Sequence, residues 1–218
     1  MSEISEHSSE IMCCETAANA GSEREEQYME YHKRVEGKNV YLSPMREEDA
    51  PKYVEWLNDP QILKNIGTPQ MVYDIPTEME WIRENRGKHQ FAIVKKGDDR
   101  LIGNCGIQQQ NQRNRAAEVG IFIGAEEDRG KGYGTEALGL LVEYGFQQLN
   151  FHSICLHVYS FNERAIRAYK KIGFQEAGRL RECYWADGRW HDRLIMDLLD
   201  HEWLSFQSHT SSSLLGNR

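Results

Sequence analysis

The sequence contains 218 residues, of which 39% are hydrophobic and 10% aromatic, so it can bury a sizeable core in one domain with flexible ends. Its formal net charge of -8 is concentrated in residues 1–30, which hold eight acids and one base and leave 26 acids against 25 bases elsewhere. That nearly neutral remainder excludes the basic stripe of a nucleic-acid-binding surface, and no apolar run is long enough to predict a membrane span.

Five cysteines lie at positions 13, 14, 105, 155 and 183, an odd number without a C-x-x-C pair. This spacing argues against a disulfide framework and against a metal site, so we predict no bound metal. Reduced thiols are typical of cytoplasmic proteins, and the start of the chain lacks the basic flank and apolar run of a signal peptide. The sequence therefore predicts a cytoplasmic protein, with Cys105 and Cys155 as structural thiols.

Composition divides the chain into three segments. Residues 1–36 are polar and acidic, and we predict a disordered extension there. Residues 37–204 carry the apolar periodicity of a folded domain, and residues 205–218 form a serine-rich stretch that predicts a flexible tail.

The first half of the folded part alternates between strand and helix signals. Polar–apolar alternation predicts a strand over 38–45, and "REEDAPKYVEWLND" predicts a helix over 46–59 that stops at Asp59-Pro60. A second helix is expected over 76–85, where Thr77-x-x-Glu80 has the spacing of a capping box. Three strands are then predicted, at 90–96, 100–108 and 116–124, with a hairpin turn at Gly97-Asp98-Asp99 between the first two.

The second half continues the alternation after a glycine-rich loop. We predict a helix over 132–148, a strand over 152–160, and a helix over 162–174 that Asn162 caps and Gly173 ends. Two strands should follow within 174–199, on either side of the Asp187-Gly188 turn. The order predicts an α/β fold, an α+β mixed sheet in a single domain.

The loop "EDRGKGYGTEALGLL", at 127–141, places three glycines before a helix, with Arg129 and Lys131 among them. The spacing from Gly124 to Gly130-Lys131 is one residue too long for a P-loop, and G-x-G-x-G differs from the dinucleotide fingerprint. Successive glycine amides at a helix N-terminus form an anion cradle that suits a pyrophosphate without a metal. An ordinary helix entry, with glycines for turning, is the alternative.

Two stretches resemble the GNAT superfamily of N-acetyltransferases. Arg129-x-x-Gly132-x-Gly134 after an apolar strand is similar to that family's acetyl-coenzyme A loop. The stretch "VYSFNERAIRAYKKIGFQEAGRLRECYWADGRWHDRLIMDL", at 158–198, resembles the branch of ribosomal-protein alanine and spermidine N-acetyltransferases, as does "WLNDPQILKNIG" at 56–67. The resemblance covers roughly residues 38–203.

The resemblance implies a single GNAT-like domain in which the central parallel strands, here 116–124 and 152–160, splay apart. It also implies acetyl-CoA as co-substrate, with its pantetheine arm in the gap and its pyrophosphate on the loop amides. The cofactor-binding residues that it implies are Ile121, Phe122, Ile123, Arg129, Gly130, Lys131, Gly132, Tyr133, Gly134, Thr135 and Asn162.

The resemblance further implies an acyltransferase in which an amine attacks the thioester directly in a ternary complex. An amine must lose a proton before it attacks, and Glu118 matches a glutamate proposed as base in related enzymes. Tyr169 matches the tyrosine that protonates the leaving thiolate, and a backbone N–H near 121–123 could stabilise the oxyanion. Core packing of Tyr169, and a Glu118 that faces solvent or Arg115, are the alternatives.

The acceptor stays open between a protein N-terminus and a small-molecule amine, namely a polyamine, an aminoglycoside or an amino sugar. Trp56, Tyr73 and Trp81 are candidates to shape its pocket. The segment "GTPQMVYDIPTEME" replaces the aromatic-acidic run of spermidine acetyltransferases, which argues against a polyamine. The acids considered near this side are Glu47, Glu48, Asp49, Glu55 and Asp59.

A binding module that holds CoA or a peptide without efficient turnover is the competing class of function. We expect no nucleic acid and no membrane as partner, and a homodimer is possible because dimers are common among similar proteins.

Overall fold

The structure of the protein is a computed structural model that describes residues 31–205. The predicted extension and tail lie outside this part, except for their inner ends. Every element belongs to one compact unit of the chain, which begins at Lys33. The helices are α1 Ala50–Leu57, α2 Pro60–Ile66, α3 Ile75–Glu84, α4 Tyr133–Gln147 and α5 Glu163–Ile172. The strands are β1 Val35–Glu36, β2 Val40–Pro44, β3 Gln90–Lys95, β4 Arg100–Asn111, β5 Ala116–Ile123, β6 Ser153–Tyr159, β7 Gln175–Ala186 and β8 Arg189–Leu199.

Within residues 31–205, eight strands form one mixed sheet in the order β1-β2-β3-β4-β5-β6-β8-β7. Neighbouring strands are antiparallel except β5 and β6, which are parallel and lie at the centre. A parallel pair needs a long crossover, and here α4 supplies it. The mixed sheet in a single domain that the sequence predicted is therefore confirmed.

Helices cover both faces of the sheet. On one face, α4 packs on a core that includes Leu42, Ile102 and Val119, all less than 5% exposed. On the other face, Trp56 of α1 stands edge-on to Phe122 of β5, with ring centroids 6.3 Å apart. Alternate residues of a strand point to opposite faces, so β5 serves both layers.

The N-terminal helical region differs from the prediction. A short 3₁₀ turn and α1 occupy 47–57, and α2, which was not predicted, begins at Pro60. The Asp59-Pro60 pair was interpreted as a stop, whereas Asp59 is an N-cap whose carboxylate accepts a hydrogen bond from Gln61 N at 2.8 Å. Proline at the first helical position is compatible with a helix start, because its missing N–H has no partner there.

Smaller differences concern caps and ends. Asp74, and not Thr77, caps α3, because its carboxylate accepts from Thr77 N at 2.8 Å. The strand β1 starts two residues before the predicted boundary of the folded part, and β4 extends to Asn111. The other predicted elements are confirmed with end shifts of one or two residues.

Candidate active site

The glycine loop enters α4 with a left-handed backbone. Gly130 and Gly132 have φ angles of 79° and 90°, and Gly132 is the N-cap of α4. A side chain at either position would be strained, since L-residues rarely adopt this region. Gly134 lies two residues further, where a Cβ would stand 3.3 Å from Ile123 of β5. The loop therefore presents backbone amides at the helix N-terminus, the arrangement that binds phosphate groups.

The Arg129 guanidinium does not point freely from this loop. Its Nε donates to Ile123 O at 3.1 Å and one terminal nitrogen donates to Gly124 O at 2.5 Å. Asp59 lies 3.6 Å from the same group. The side chain thus fastens the loop to the end of β5 and is half-buried while doing so. Lys131, by contrast, is exposed and does not line the cavity described below.

The parallel strands separate after a short paired stretch. Their Cα register runs from Ala116↔Ser153 to Glu118↔Cys155 and stops there, although β5 continues to Ile123 and β6 to Tyr159. Beyond Glu118 the two strands leave a gap at the centre of the sheet. The splayed parallel strands that the resemblance implied are therefore present.

One edge of β5 faces this gap. Gly124 N donates to Ile102 O of β4 at 2.9 Å. Backbone groups alternate in direction along an antiparallel pair, so those of Phe122 also face β4. The amides and carbonyls of Ile121 and Ile123 then point away from β4, on the side of the gap, where Ile123 O already accepts from Arg129. Of the three residues 121–123, Phe122 contributes its ring on the α1 side and not its backbone.

The gap and the glycine loop open into one cavity of about 920 Å³. Two of the predicted site residues, Lys131 and Tyr133, do not line this cavity. Tyr133 packs against the core instead. Tyr73 and Trp81 of the predicted acceptor pocket line the cavity, whereas Trp56 lies beneath Phe122 and Gly124. The predicted site residues that line it are Glu118, Ile121, Phe122, Ile123, Arg129, Gly130, Gly132, Gly134, Thr135, Asn162 and Tyr169.

Glu118 lies where β5 and β6 part, and it has a partner that the sequence did not suggest. The Oε1 atom of Glu118 is 3.2 Å from Nδ1 of His157. In the strand register Glu118 pairs with Cys155, and His157 lies two residues after Cys155 in β6. Both side chains line the cavity, and 17% of the Glu118 side chain is exposed. The alternative in which Glu118 faces Arg115 is wrong, because that guanidinium bonds Asn150.

Helix α5 carries two further predicted residues. Asn162 caps it, as predicted, with Oδ1 accepting from Ala165 N at 3.2 Å, which leaves its side-chain NH₂ free to donate. Tyr169 is half-buried two turns later, and burial raises the pKa of its phenol to about 12. The phenol is therefore protonated at neutral pH and can act as a proton donor.

Among the cavity residues that sequence reasoning missed are His157 and Glu78. Glu78 of α3 is only 5% exposed, and burial raises the pKa of its carboxyl to about 7. Its position in a capping-box-like stretch gave no signal of burial. None of the acids proposed from sequence for the acceptor side lines the cavity, and most have partners outside it: Glu47 with Arg83 and Arg86, the buried Asp49 with Arg46, and Glu55 with Lys52.

The described residues hold neither a candidate metal cluster nor a candidate membrane-spanning helix. Between residues 31 and 205, no cluster of three or more histidine, cysteine or acidic side chains could hold a metal ion. In the same range, no helix has the length and apolar character needed to cross a membrane.

The loop, the gap and the cavity fit a CoA thioester, and comparison with known proteins agrees. Residues 39–175 match the acetyltransferase (GNAT) domain family. An N-acetyltransferase p20 of Bacillus licheniformis is 32% identical over 74% of this chain and 93% of its own. Spermidine N(1)-acetyltransferase of Escherichia coli K12 is 28% identical over 81% of this chain and 95% of its own.

Solved structures show the same architecture. The crystal structure of spermidine N-acetyltransferase from Vibrio cholerae, in complex with CoA and spermine, superposes with a TM-score of 0.70 at 26% identity, covering 77% of this chain and 99% of the other. The resemblance noted from the glycine loop and the 158–198 stretch is thereby confirmed. The chain belongs to the GNAT acetyltransferase family and is an acetyl-CoA-dependent N-acetyltransferase.

Proposed function

We propose that this enzyme acetylates a small-molecule amine by direct attack in a ternary complex. The observation that carries the proposal is that one cavity brings together a glycine loop at a helix N-terminus, a strand edge, a carboxylate and a phenol. The relatives named for spermidine support a small amine over a protein N-terminus. Amine and thioester bound side by side need no covalent enzyme intermediate.

The residues around the gap would hold the thioester in a defined pose. The amides between Gly130 and Thr135 suit the pyrophosphate. The N–H and C=O of Ile121, with the N–H of Ile123, suit the amides of an extended pantetheine arm. The Asn162 NH₂ can donate to the same arm. Acetyl-CoA supplies the activated acyl carbon and a thiolate leaving group.

Glu118 and Tyr169 then share the proton transfers. The nitrogen, bound as an ammonium group, first gives one proton to the Glu118 carboxylate and then, as a neutral amine, forms a bond to the carbonyl carbon. As the C–S bond breaks, Tyr169 gives its proton to the sulfur, the nitrogen loses its second proton to solvent, and the phenolate regains a proton from solvent. Burial raises the pKa of Tyr169, so the phenol holds its proton at neutral pH until this step. A strand amide facing the gap, at Ile121 or Ile123, can stabilise the oxyanion.

The cysteines do not compete for the nucleophile's role. Cys105 is fully buried, and burial raises the pKa of its thiol far above neutrality. Burial, followed by the nearby Glu118 carboxylate, also raises the pKa of Cys155. A thiol that stays protonated is a poor nucleophile, so both residues fit packing roles.

Location and assembly complete the proposal. Three cysteines are free thiols in the described part of the chain, which supports a cytoplasmic enzyme. A homodimer stays a prediction, to be checked by light scattering of the full chain in solution.

Release of free thiol from acetyl-CoA tests the function. The full-length protein is mixed with spermidine, butylamine, an alanine-initiated peptide, an aminoglycoside and an amino sugar, beside its Tyr169→Phe and Glu118→Gln variants. We expect turnover on a small amine, with kcat about 100-fold lower in either variant and CoA affinity retained. Saturable CoA binding without turnover on any acceptor would favour the binding-module alternative, and turnover only on the peptide would contradict the acceptor class.

A further inference from the structure

Glu78 is a buried carboxylate that faces the cavity without a partner. It projects from α3, is 5% exposed, and is one of the residues that line the cavity. Within residues 31–205 its carboxylate has no hydrogen bond and no ion pair. Burying a charge without a compensating group is costly, so such a carboxylate is normally paired or binds a ligand.

The other acids that line the cavity already have partners. Asp128 is 2% exposed and lies 2.7 Å from a guanidinium nitrogen of Arg100. Glu118 bonds His157 at 3.2 Å. Glu78 is therefore the lining acid, among those of residues 31–205, whose charge is left for a bound molecule.

The side chains around Glu78 suit an aliphatic cation. Met71, Tyr73 and Trp81 belong to the same segment of the chain as Glu78, and they also line the cavity. Met71 and Trp81 are 46% and 38% exposed. Methylene groups gain free energy from contact with such apolar surface, and an ammonium group is attracted to aromatic ring faces. A carboxylate beside an apolar wall is the complement of an alkylammonium group.

Cationic lining residues are concentrated elsewhere. Arg164, Arg167 and Lys171 all reach the cavity from α5, which also carries the cap and the phenol of the thioester side. Arg129 is bound to strand carbonyls, and Arg193 approaches from β8, where its register partner is Tyr159. The α5 side thus favours phosphate groups, and the α3 side favours a positive charge.

We infer that Glu78 binds a second ammonium group of the acceptor, and that the acceptor is a small aliphatic amine with at least two cationic nitrogens. The inference rests on the proposed function, in which the first nitrogen loses its proton to Glu118 and attacks the thioester. Glu78 lies within "GTPQMVYDIPTEME", the segment whose difference from spermidine acetyltransferases argued against a polyamine. In the folded protein, that same segment places the Glu78 carboxylate in the cavity.

The test compares amines that differ in the number of charged nitrogens. Thiol release by the full-length protein is measured with putrescine, spermidine and butylamine, the last having the carbon chain of putrescine with one nitrogen. Glu78→Gln keeps the shape and removes the charge. Glu80→Gln, at an exposed position of the same helix, is the matched control. Spermidine is also titrated calorimetrically into each CoA-loaded protein.

We expect the wild-type kcat/KM for putrescine or spermidine to exceed that for butylamine by about 10-fold to 100-fold, the usual worth of a hydrogen bond to a charged group. Glu78→Gln should lose most of this preference through KM and weaken spermidine binding by a similar factor, whereas Glu80→Gln should retain both. An equal loss of kcat on mono- and diamines, or a wild-type enzyme that does not prefer diamines, would overturn the inference. Turnover of butylamine in that case would leave the proposed function standing, and the wild-type comparison does not depend on the variant's folding.

Discussion

Glu118 of β5 and His157 of β6 are 39 residues apart in sequence, and their side chains meet 3.2 Å apart where the two parallel strands stop pairing. The carboxylate therefore stands at the inner end of the gap into which a thioester would extend. A hydrogen bond from the imidazole would fix its orientation, which makes His157 a positioning residue for the proposed base.

Removing the imidazole should slow turnover through Glu118. We expect His157→Leu to lower kcat about tenfold, since a hydrogen bond to a charged group is lost, and to leave the KM for acetyl-CoA unchanged. His157→Asn, which keeps a donor near the Nδ1 position, should recover much of the rate. His152→Asn is the control, because His152 pairs with Asp200 and does not line the cavity. A raised KM for acetyl-CoA in His157→Leu, or no recovery of kcat in His157→Asn, would contradict the positioning role.

The two cations of the glycine loop should differ in importance. Arg129→Lys keeps the charge but cannot bond Ile123 O and Gly124 O in a fork, so the loop loses its attachment to β5. We expect the KM for acetyl-CoA to rise about tenfold, the effect of one or two lost charge-assisted bonds. Lys131→Ala, at an exposed position, should change KM little. The reverse order would show that charge, and not attachment, is what the loop needs.

Two glycines at α4 should respond oppositely to alanine. Gly132 has φ 90° at the N-cap, so Gly132→Ala should lower the free energy of unfolding by about 1–2 kcal/mol. Gly139 lies inside the same helix, where a Cβ meets nothing within 4 Å, so Gly139→Ala should raise it by about 0.5–1 kcal/mol. Urea denaturation of both variants measures the difference. Equal effects would contradict the left-handed loop entry.

Glu78 should make stability depend on pH. Burial raises the pKa of its carboxyl from 4.5 to about 7, so the folded state binds more protons than the unfolded state between those values. Its contribution is full below pH 4.5 and declines as pH rises to 7, after which the buried carboxylate is charged. The full shift corresponds to about 3 kcal/mol, and solvent in the cavity should reduce this to about 1–2 kcal/mol.

Denaturation at a series of pH values tests this sign. Glu78→Gln should flatten the decline between pH 4.5 and 7, and at pH 8 it should be more stable than the wild type. Glu80→Gln should follow the wild-type curve, because that residue is exposed. A Glu78→Gln protein less stable than the wild type at pH 8 would contradict the unpaired burial of the carboxylate.

Local signals in the sequence determined most of the fold. Three such signals are the Asn162 cap, the left-handed Gly173 and the Asp187-Gly188 turn. Each depends on only a few neighbouring residues, so it can be recognised without knowledge of the rest of the chain. The same holds for the glycine loop before α4. Where a local signal had two meanings, the prediction could be wrong. Asp59-Pro60 was interpreted as the end of one helix, whereas it begins the next helix, α2.

Only the tertiary structure decided the composition of the site. The edge of β5 that faces the gap depends on the register with β4, and the Glu118–His157 contact depends on the pairing of strands separated by a whole helix. Glu78 is buried because α3 packs against α1, although it is a charged residue between Thr77 and Met79. Such contacts join segments distant in sequence, and the energy of each depends on which groups the fold leaves unpaired, so no local pattern encodes them.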